Sequence, residues 1–257
     1  MAPLPVPHDD DLPVGRLLTR KEALRLLGGA GAALVLAGCA PVTRPSAART
    51  ASATTTPGTT VACVVRPALT EGPYFVDERL NRSDIRADPS DGAIKPGAPL
   101  RLTFQLARVN AGCAPLAGAT LDVWHCDALG VYSDVSDPGF NTIGQKFLRG
   151  YQVTDASGAA RFTTIYPGWY QGRAVHIHFK VRMPASAGAT HEFTSQLFFD
   201  DTLTDQVHAA APYRAKGQRT LRNSGDAIYQ RGGSQLVLAV SNAAPGYTAT
   251  FAIGLQL

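Results

Sequence analysis

From Pro99 onward the chain is a succession of short apolar runs with a period of two, cut at intervals by turn residues. This pattern restricts the fold more than any other feature. Leu100, Leu102, Phe104 and Leu106 alternate with polar or small neighbours, so in an extended chain all four side chains face one way. The same reading applies to Ala119–Cys126, Leu148–Val153, Arg161–Ile165, Ala174–Arg182, Glu192–Phe199, Gln235–Val240 and Tyr247–Leu257. Asp155-Ala156-Ser157-Gly158 reads as a tight hairpin turn between two of these runs. Seven or eight strands at such spacing predict an all-β fold, an antiparallel β-sandwich. Helix is suggested only at Leu203–His208 and near Ala227. Residues 75–98 and 127–147 are strand-poor and predict long loops, which in a compact domain usually carry function.

A chain of 257 residues with 45% hydrophobic content can bury one substantial core. Residues 63–257 hold 18 Lys and Arg against 16 Asp and Glu, a balance of +2, and no basic patch argues for nucleic acid, so none is expected as a partner. The N-terminus reads as a targeting segment. Arg20-Lys21 opens a basic region, and Leu26 to Gly38 is an uncharged apolar run of 13 residues, too short to span a bilayer. Leu36-Ala37-Gly38-Cys39 resembles a bacterial lipobox, in which the cysteine becomes the lipidated first residue. Thr19–Leu24 is similar to a twin-arginine signal with lysine in place of the second arginine, leaving the Sec and twin-arginine routes open. Residues 40–62, rich in Ala, Thr, Ser and Pro, predict a disordered tether. The expected organisation is an export signal over 1–39, a tether over 40–62 and one folded domain over 63–257. The protein is expected to be exported, either secreted or anchored on the outer face of the cytoplasmic membrane through a lipid on Cys39 alone. Cys63, Cys113 and Cys126 then allow one disulfide in an oxidising compartment, with Cys63–Cys126 the favoured pair.

The chemistry concentrates between Trp124 and His178. In AVHIHFKV, His176 and His178 are two apart on a predicted strand, so both imidazoles leave the same face and one metal could take both. Tyr170 lies six residues upstream of His176, beyond a Pro167-Gly168 turn able to swing its phenol back toward that face. Tyrosine is an uncommon ligand, because its phenol must lose a proton with pKa ~10. A hard trivalent cation offsets that cost, so phenolate donors suit Fe(III) better than Zn(II) or Cu(I). A catechol bound as a dianion through both oxygens would fit such a centre.

With these residues in view, the chain resembles the intradiol ring-cleavage dioxygenases, in particular their small exported branch. The resemblance runs from about Thr70 to Phe199 and rests on TEGPYF, RSDIR, DVWHCDALGVYS, FLRGYQVTD, TIYPGWYQGRAVHIHFKV and TSQLFFD, in that order. It implies Fe(III) held by Tyr132, Tyr170, His176 and His178, with Tyr170 displaced when a catechol binds. It also implies that Arg173 and Gln196 orient the substrate and stabilise developing negative charge, and that O2 is the second substrate. No organic cofactor is implied. Catechol 1,2-dioxygenases carry a long helical N-terminal segment that forms their dimer; a signal and tether occupy that place here, so the oligomeric state does not carry over.

Other aromatic and histidine residues are assigned by position. Tyr166 lies before the turn and is expected to pack with its hydroxyl satisfied. Tyr74 either lines the pocket or packs. His125 must face opposite to Trp124 and is read as structural or as a support of the ligands. His191 and His208 have no partner pattern, and His8 falls in the targeting segment. A cupin-type centre would require a glutamate shortly after the histidine pair, where Phe179-Lys180-Val181-Arg182 stands instead. The remaining alternative is a lipid-anchored β-sandwich that binds a ligand without catalysis.

Overall fold

The computed structural model describes residues 63–184 and 189–256. The expected signal over 1–39, the tether over 40–62 and Cys39 lie outside the described residues. Eleven strands occur among those described: β1 (Pro99–Arg108), β2 (Ala114–Pro115), β3 (Thr120–Trp124), β4 (Ser136–Asp137), β5 (Phe140–Asn141), β6 (Arg149–Val153), β7 (Ala159–Ile165), β8 (His176–Pro184), β9 (Thr190–Phe198), β10 (Val240–Asn242) and β11 (Tyr247–Leu255). One helix, α1 (Asp201–His208), is capped by the Asp200 carboxylate accepting from Leu203 N. No helix among the described residues is long and apolar enough to cross a membrane.

The strands form the expected sandwich. One sheet runs β10-β11-β1-β2 with β7 also on β1, and the other runs β6-β3-β8-β9. The alternation seen in β1 turns Leu100, Leu102, Phe104 and Leu106 inward, all fully buried. Inside the sandwich, the Phe104 ring lies 5.2 Å from Phe179 of β8 in the facing sheet and 6.1 Å from Phe251 on the neighbouring β11. Burying each such ring contributes about 1.5–3 kcal/mol.

One expectation is refined and two are corrected. The sandwich is not wholly antiparallel, because β1 pairs with β11 in parallel register. Those strands sit at opposite ends of the domain, and the intervening chain supplies the long crossover that a parallel pair needs. The Asp155–Gly158 turn forms, with Asp155 Oδ1 accepting from Ser157 N and Ala159 N, yet it is not a hairpin. It passes the chain from β6 in one sheet to β7 in the other. The run expected as a strand over Gln235–Val240 is instead a 3-10 turn at Gly233–Leu236 and a short irregular stretch leading into β10, with Leu236 and Leu238 buried.

The favoured disulfide is also wrong in its partner. Cys63 bonds Cys113, with the Cα atoms 5.5 Å apart, and Cys126 is a buried free thiol. Val64 O accepts from Gly254 N, laying the start of the domain along β11 beside the turn that follows β1. Cys113 sits on that turn. Cys126 is drawn instead into a separate cluster with Trp124, Tyr132 and Val135.

Candidate metal centre

β8 separates core from chemistry by its two faces. Ile177, Phe179 and Val181 enter the sandwich interior, so His176, His178, Lys180 and Arg182 emerge on the outer face of that sheet. The expected loop lies across this face. Lys180 pairs with Glu71 and stands 4.2 Å over the Phe75 ring, while Arg182 pairs with Asp77 and Asp122. His176 and His178 are thereby sealed from solvent, each 1% exposed.

The pair shares one focus. His176 Nε2 and His178 Nε2 are 2.9 Å apart, the spacing of two nitrogens bound at right angles to one ion at about 2.0–2.1 Å. His176 Nδ1 donates to Ala174 O at 2.7 Å, which leaves the Nε2 lone pair free. Burial pushes both imidazoles well below their ordinary pKa, so both are neutral near pH 7. The Trp124 ring stacks on His178 at 5.0 Å and 11°.

Two interlocked turns bring in the tyrosines. Gly168 N donates to Asp127 O at 3.1 Å, and a Cβ on Gly168 would stand 2.5 Å from the carbonyl oxygens of Asp127 and Ala128. Only glycine lets the Tyr170 turn approach the segment leading to Tyr132 so closely. Asp127 Oδ1 accepts from Leu129 N and Val131 N, and Thr142 Oγ1 donates to Tyr132 O, fixing the approach to Tyr132. The Tyr170 hydroxyl then lies 3.4 Å from His176 Nε2, and the Tyr132 and Tyr170 rings meet edge to face at 5.6 Å. Burial raises the Tyr132 phenol well above its usual range. It pushes Tyr170 up to about 12, against a lowering by Arg173.

The structure thus brings together all six candidates, Tyr132, Tyr170, Arg173, His176, His178 and Gln196. Gln196 is opposite His178 on β9 and accepts from Arg173 Nη2 at 2.6 Å. Tyr74 joins them, stacked on Tyr132 at 4.4 Å with its hydroxyl donating to Asp137. Tyr166 and His125 stay apart. The Tyr166 hydroxyl bonds Thr204 Oγ1, and His125 bonds Cys126 O and Thr164 Oγ1 on the core side. His208 reaches Pro167 O.

The donor set fits a hard cation. Two neutral imidazoles and two phenols converge, and among the described residues Tyr132 Oη and His178 Nδ1 are buried without a hydrogen-bond partner. The neighbouring Tyr170 phenol adds to the rise that burial causes in Tyr132. No cluster of three His, Cys, Asp or Glu occurs among the described residues, so any metal held here depends on the tyrosines.

Against known proteins, the profile of the family described as Dioxygenase matches residues 70–238. The chain belongs to the intradiol dioxygenase family. Its similarity to a chlorocatechol 1,2-dioxygenase of Pseudomonas sp. (strain P51) is 30% identity over 50% of this chain and 54% of that one. For catechol 1,2-dioxygenase 2 of Acinetobacter lwoffii the identity is 33%, over 52% and 51%. The chain therefore spans about half the length of these curated relatives. Among solved structures, an intradiol ring-cleavage dioxygenase from Tetranychus urticae superposes with a TM-score of 0.66 at 27% identity, covering 76% of this chain and 95% of that one. This intradiol dioxygenase family member shares with that structure most of its described domain.

Three residues of the site were given no role by the sequence. Trp124 was recoverable, since it must face opposite to His125. Arg149, 3% exposed, donates to Ser133 Oγ and to the carbonyl oxygens of Tyr74 and Val76, tying both loops down. Burial lowers its pKa to about 10. Asp226 anchors Arg173. Arg149 lies in the FLRGYQVTD stretch, but nothing local marks its side chain for this role, and Asp226 carries no local signal.

Proposed function

We propose that this protein is a non-haem Fe(III) intradiol dioxygenase. It opens catechol-type rings between their two hydroxyls and inserts both atoms of O2 to give cis,cis-muconate-type diacids. The observation that carries the reading is the convergence of Tyr132, Tyr170, His176 and His178, with the buried Tyr132 hydroxyl unpartnered. Bound Fe(III) would offset the loss of the phenol protons and draw electron density from a chelated catecholate.

The chain's own groups do the rest. Tyr132, His176 and His178 would hold the iron from the buried side. Tyr170 is half-buried, with its hydroxyl turned inward, and would complete the donor set while offering Oη as the atom that takes up a substrate proton. The Arg173 guanidinium, steadied by Asp226 and Gln196, faces the negative charge that develops on the substrate. Tyr74, Trp124 and Phe75 close the site against water.

The test is the visible spectrum and O2 uptake of the purified, iron-loaded protein with catechol. Tyrosinate-to-iron charge transfer colours it red to burgundy. A colourless iron-loaded preparation refutes the reading, and a coloured one without turnover indicates the non-catalytic binding protein.

We further infer that the chain is exported and anchored through a lipid on Cys39. The lipobox pattern supports this, as does the Cys63–Cys113 disulfide, a bond characteristic of oxidising compartments. Fatty-acid labelling of the wild type but not of Cys39→Ala is expected; equal labelling of both refutes it.

A further inference from the structure

We propose that Asp226 is a positioning residue for the centre, holding Arg173 and the entry to β8 in the orientation the reaction uses. The inference rests on the dioxygenase reading and adds to it a residue some fifty positions beyond Arg173 in sequence.

Asp226 is 1% exposed and sits among short 3-10 turns. Its two oxygens divide the work. Oδ2 accepts from Arg173 Nε at 2.9 Å and from Ala174 N at 2.7 Å. Oδ1 accepts from Ile228 N at 2.7 Å and from Tyr229 N at 3.0 Å. All four partners are N–H donors, so the position demands a group that only accepts.

Two branches lead from this carboxylate into the site. Along the first, Arg173 Nη2 donates to Gln196 Oε1 and Gln196 Nε2 donates to Thr70 O at 2.9 Å. The guanidinium is held at Nε and Nη2 together, and a planar fork held at two points has no free rotation. Along the second, Asp226 fixes the Ala174 N–H, and Ala174 O receives the His176 Nδ1 proton. That bond selects the tautomer whose Nε2 points at the focus. Both branches start from a side chain that lies outside the ligand set.

An asparagine is nearly isosteric and separates positioning from scaffolding. Its oxygen can keep Ile228 N and Tyr229 N, which leaves its NH2 facing two N–H donors, so Arg173 must turn away. Asp226→Asn in the iron-loaded full-length protein is expected to lower kcat/KM for catechol about ten- to a hundredfold, mainly through kcat. Iron content and the tyrosinate band read the Ala174–His176 branch and should shift only slightly, because His176 Nδ1 keeps its own bond to Ala174 O. In the crystal structure of the variant, Arg173 should have left Gln196, a readout independent of turnover.

Placed in an Arg173→Lys background, the same change should cost less than about threefold more in kcat, since its effect on kcat runs through the Arg173 branch. Wild-type kcat with a displaced Arg173, an undisplaced Arg173, or a fully multiplicative double variant each overturns the proposal. If the asparagine variant does not fold, Asp226→Glu replaces it. Its extra methylene moves the carboxylate and guanidinium together, and wild-type kcat with Arg173 displaced overturns the proposal equally. A wild type that turns over no catechol sinks the dioxygenase reading instead, while the crystal position of Arg173 still decides whether Asp226 holds it.

Discussion

Replacing Tyr132 by phenylalanine should act in opposite directions on metal-free stability and on iron binding. The side chain is 1% exposed and its hydroxyl has no hydrogen-bond partner, while the ring keeps its stack on Tyr74 in the variant. Deleting a buried, unsatisfied polar atom relieves a desolvation cost of about 1–3 kcal/mol. For a domain of this size each kcal/mol shifts Tm by roughly 2–4 °C, so metal-free Tyr132→Phe should melt above the metal-free wild type. Tyr166→Phe is the control. That hydroxyl donates to Thr204 Oγ1 at 2.7 Å, and Thr204 Oγ1 in turn donates to Asp200 O, so its loss should cost about 1 kcal/mol and lower Tm. With Fe(III) present the order of wild type and Tyr132→Phe reverses, because a ligand bound only by the native state adds stability in proportion to its affinity. Thermal unfolding of the three proteins, chelated and iron-loaded, with iron content alongside, is the assay. If metal-free Tyr132→Phe were less stable than the wild type and bound iron equally well, the argument from the orphaned hydroxyl would fail.

Three further outcomes are expected. Tyr170→Phe should retain iron through Tyr132, His176 and His178, lose part of the charge-transfer colour and lose turnover; a variant with full colour and turnover counts against Tyr170 as the displaced ligand. Cys63→Ser should lower stability by about 4 kcal/mol, the loop-closure value for the 50-residue separation of Cys63 and Cys113. Thiol titration of the denatured, non-reduced fragment 63–257 should find Cys126 alone. Burial holds His125 at about 4, below its unfolded value of roughly 6.5. The folded state therefore favours the neutral ring, and stability present above pH ~6.5 drains away as pH falls toward ~4, by about 2–3 kcal/mol at pH ~4.5. Urea unfolding of metal-free His125→Gln should show a shallower acid loss than the wild type, and equal losses would show that His125 is not a source of the acid sensitivity.

What the chain states locally was legible before the fold. A period of two put His176 and His178 on one face and Leu100, Leu102, Phe104 and Leu106 on another, because side-chain direction in a strand depends only on the parity of position. The Pro167-Gly168 turn announced that Tyr170 could return toward that face, and the resemblance carried over Tyr132, Arg173 and Gln196. Which elements meet was not legible, because pairing is settled by contacts far apart in sequence. β6 and β7 part company although their turn is tight. β1 takes β11 as a parallel neighbour, and laying Val64 beside Gly254 puts Cys63 against Cys113 rather than Cys126. The roles of Arg149 and Asp226 were not legible for the same reason. A buried charge gains its meaning from the carbonyl, amide or guanidinium groups that the tertiary structure brings to it, and for Asp226 the guanidinium comes from Arg173, in a separate segment of the chain.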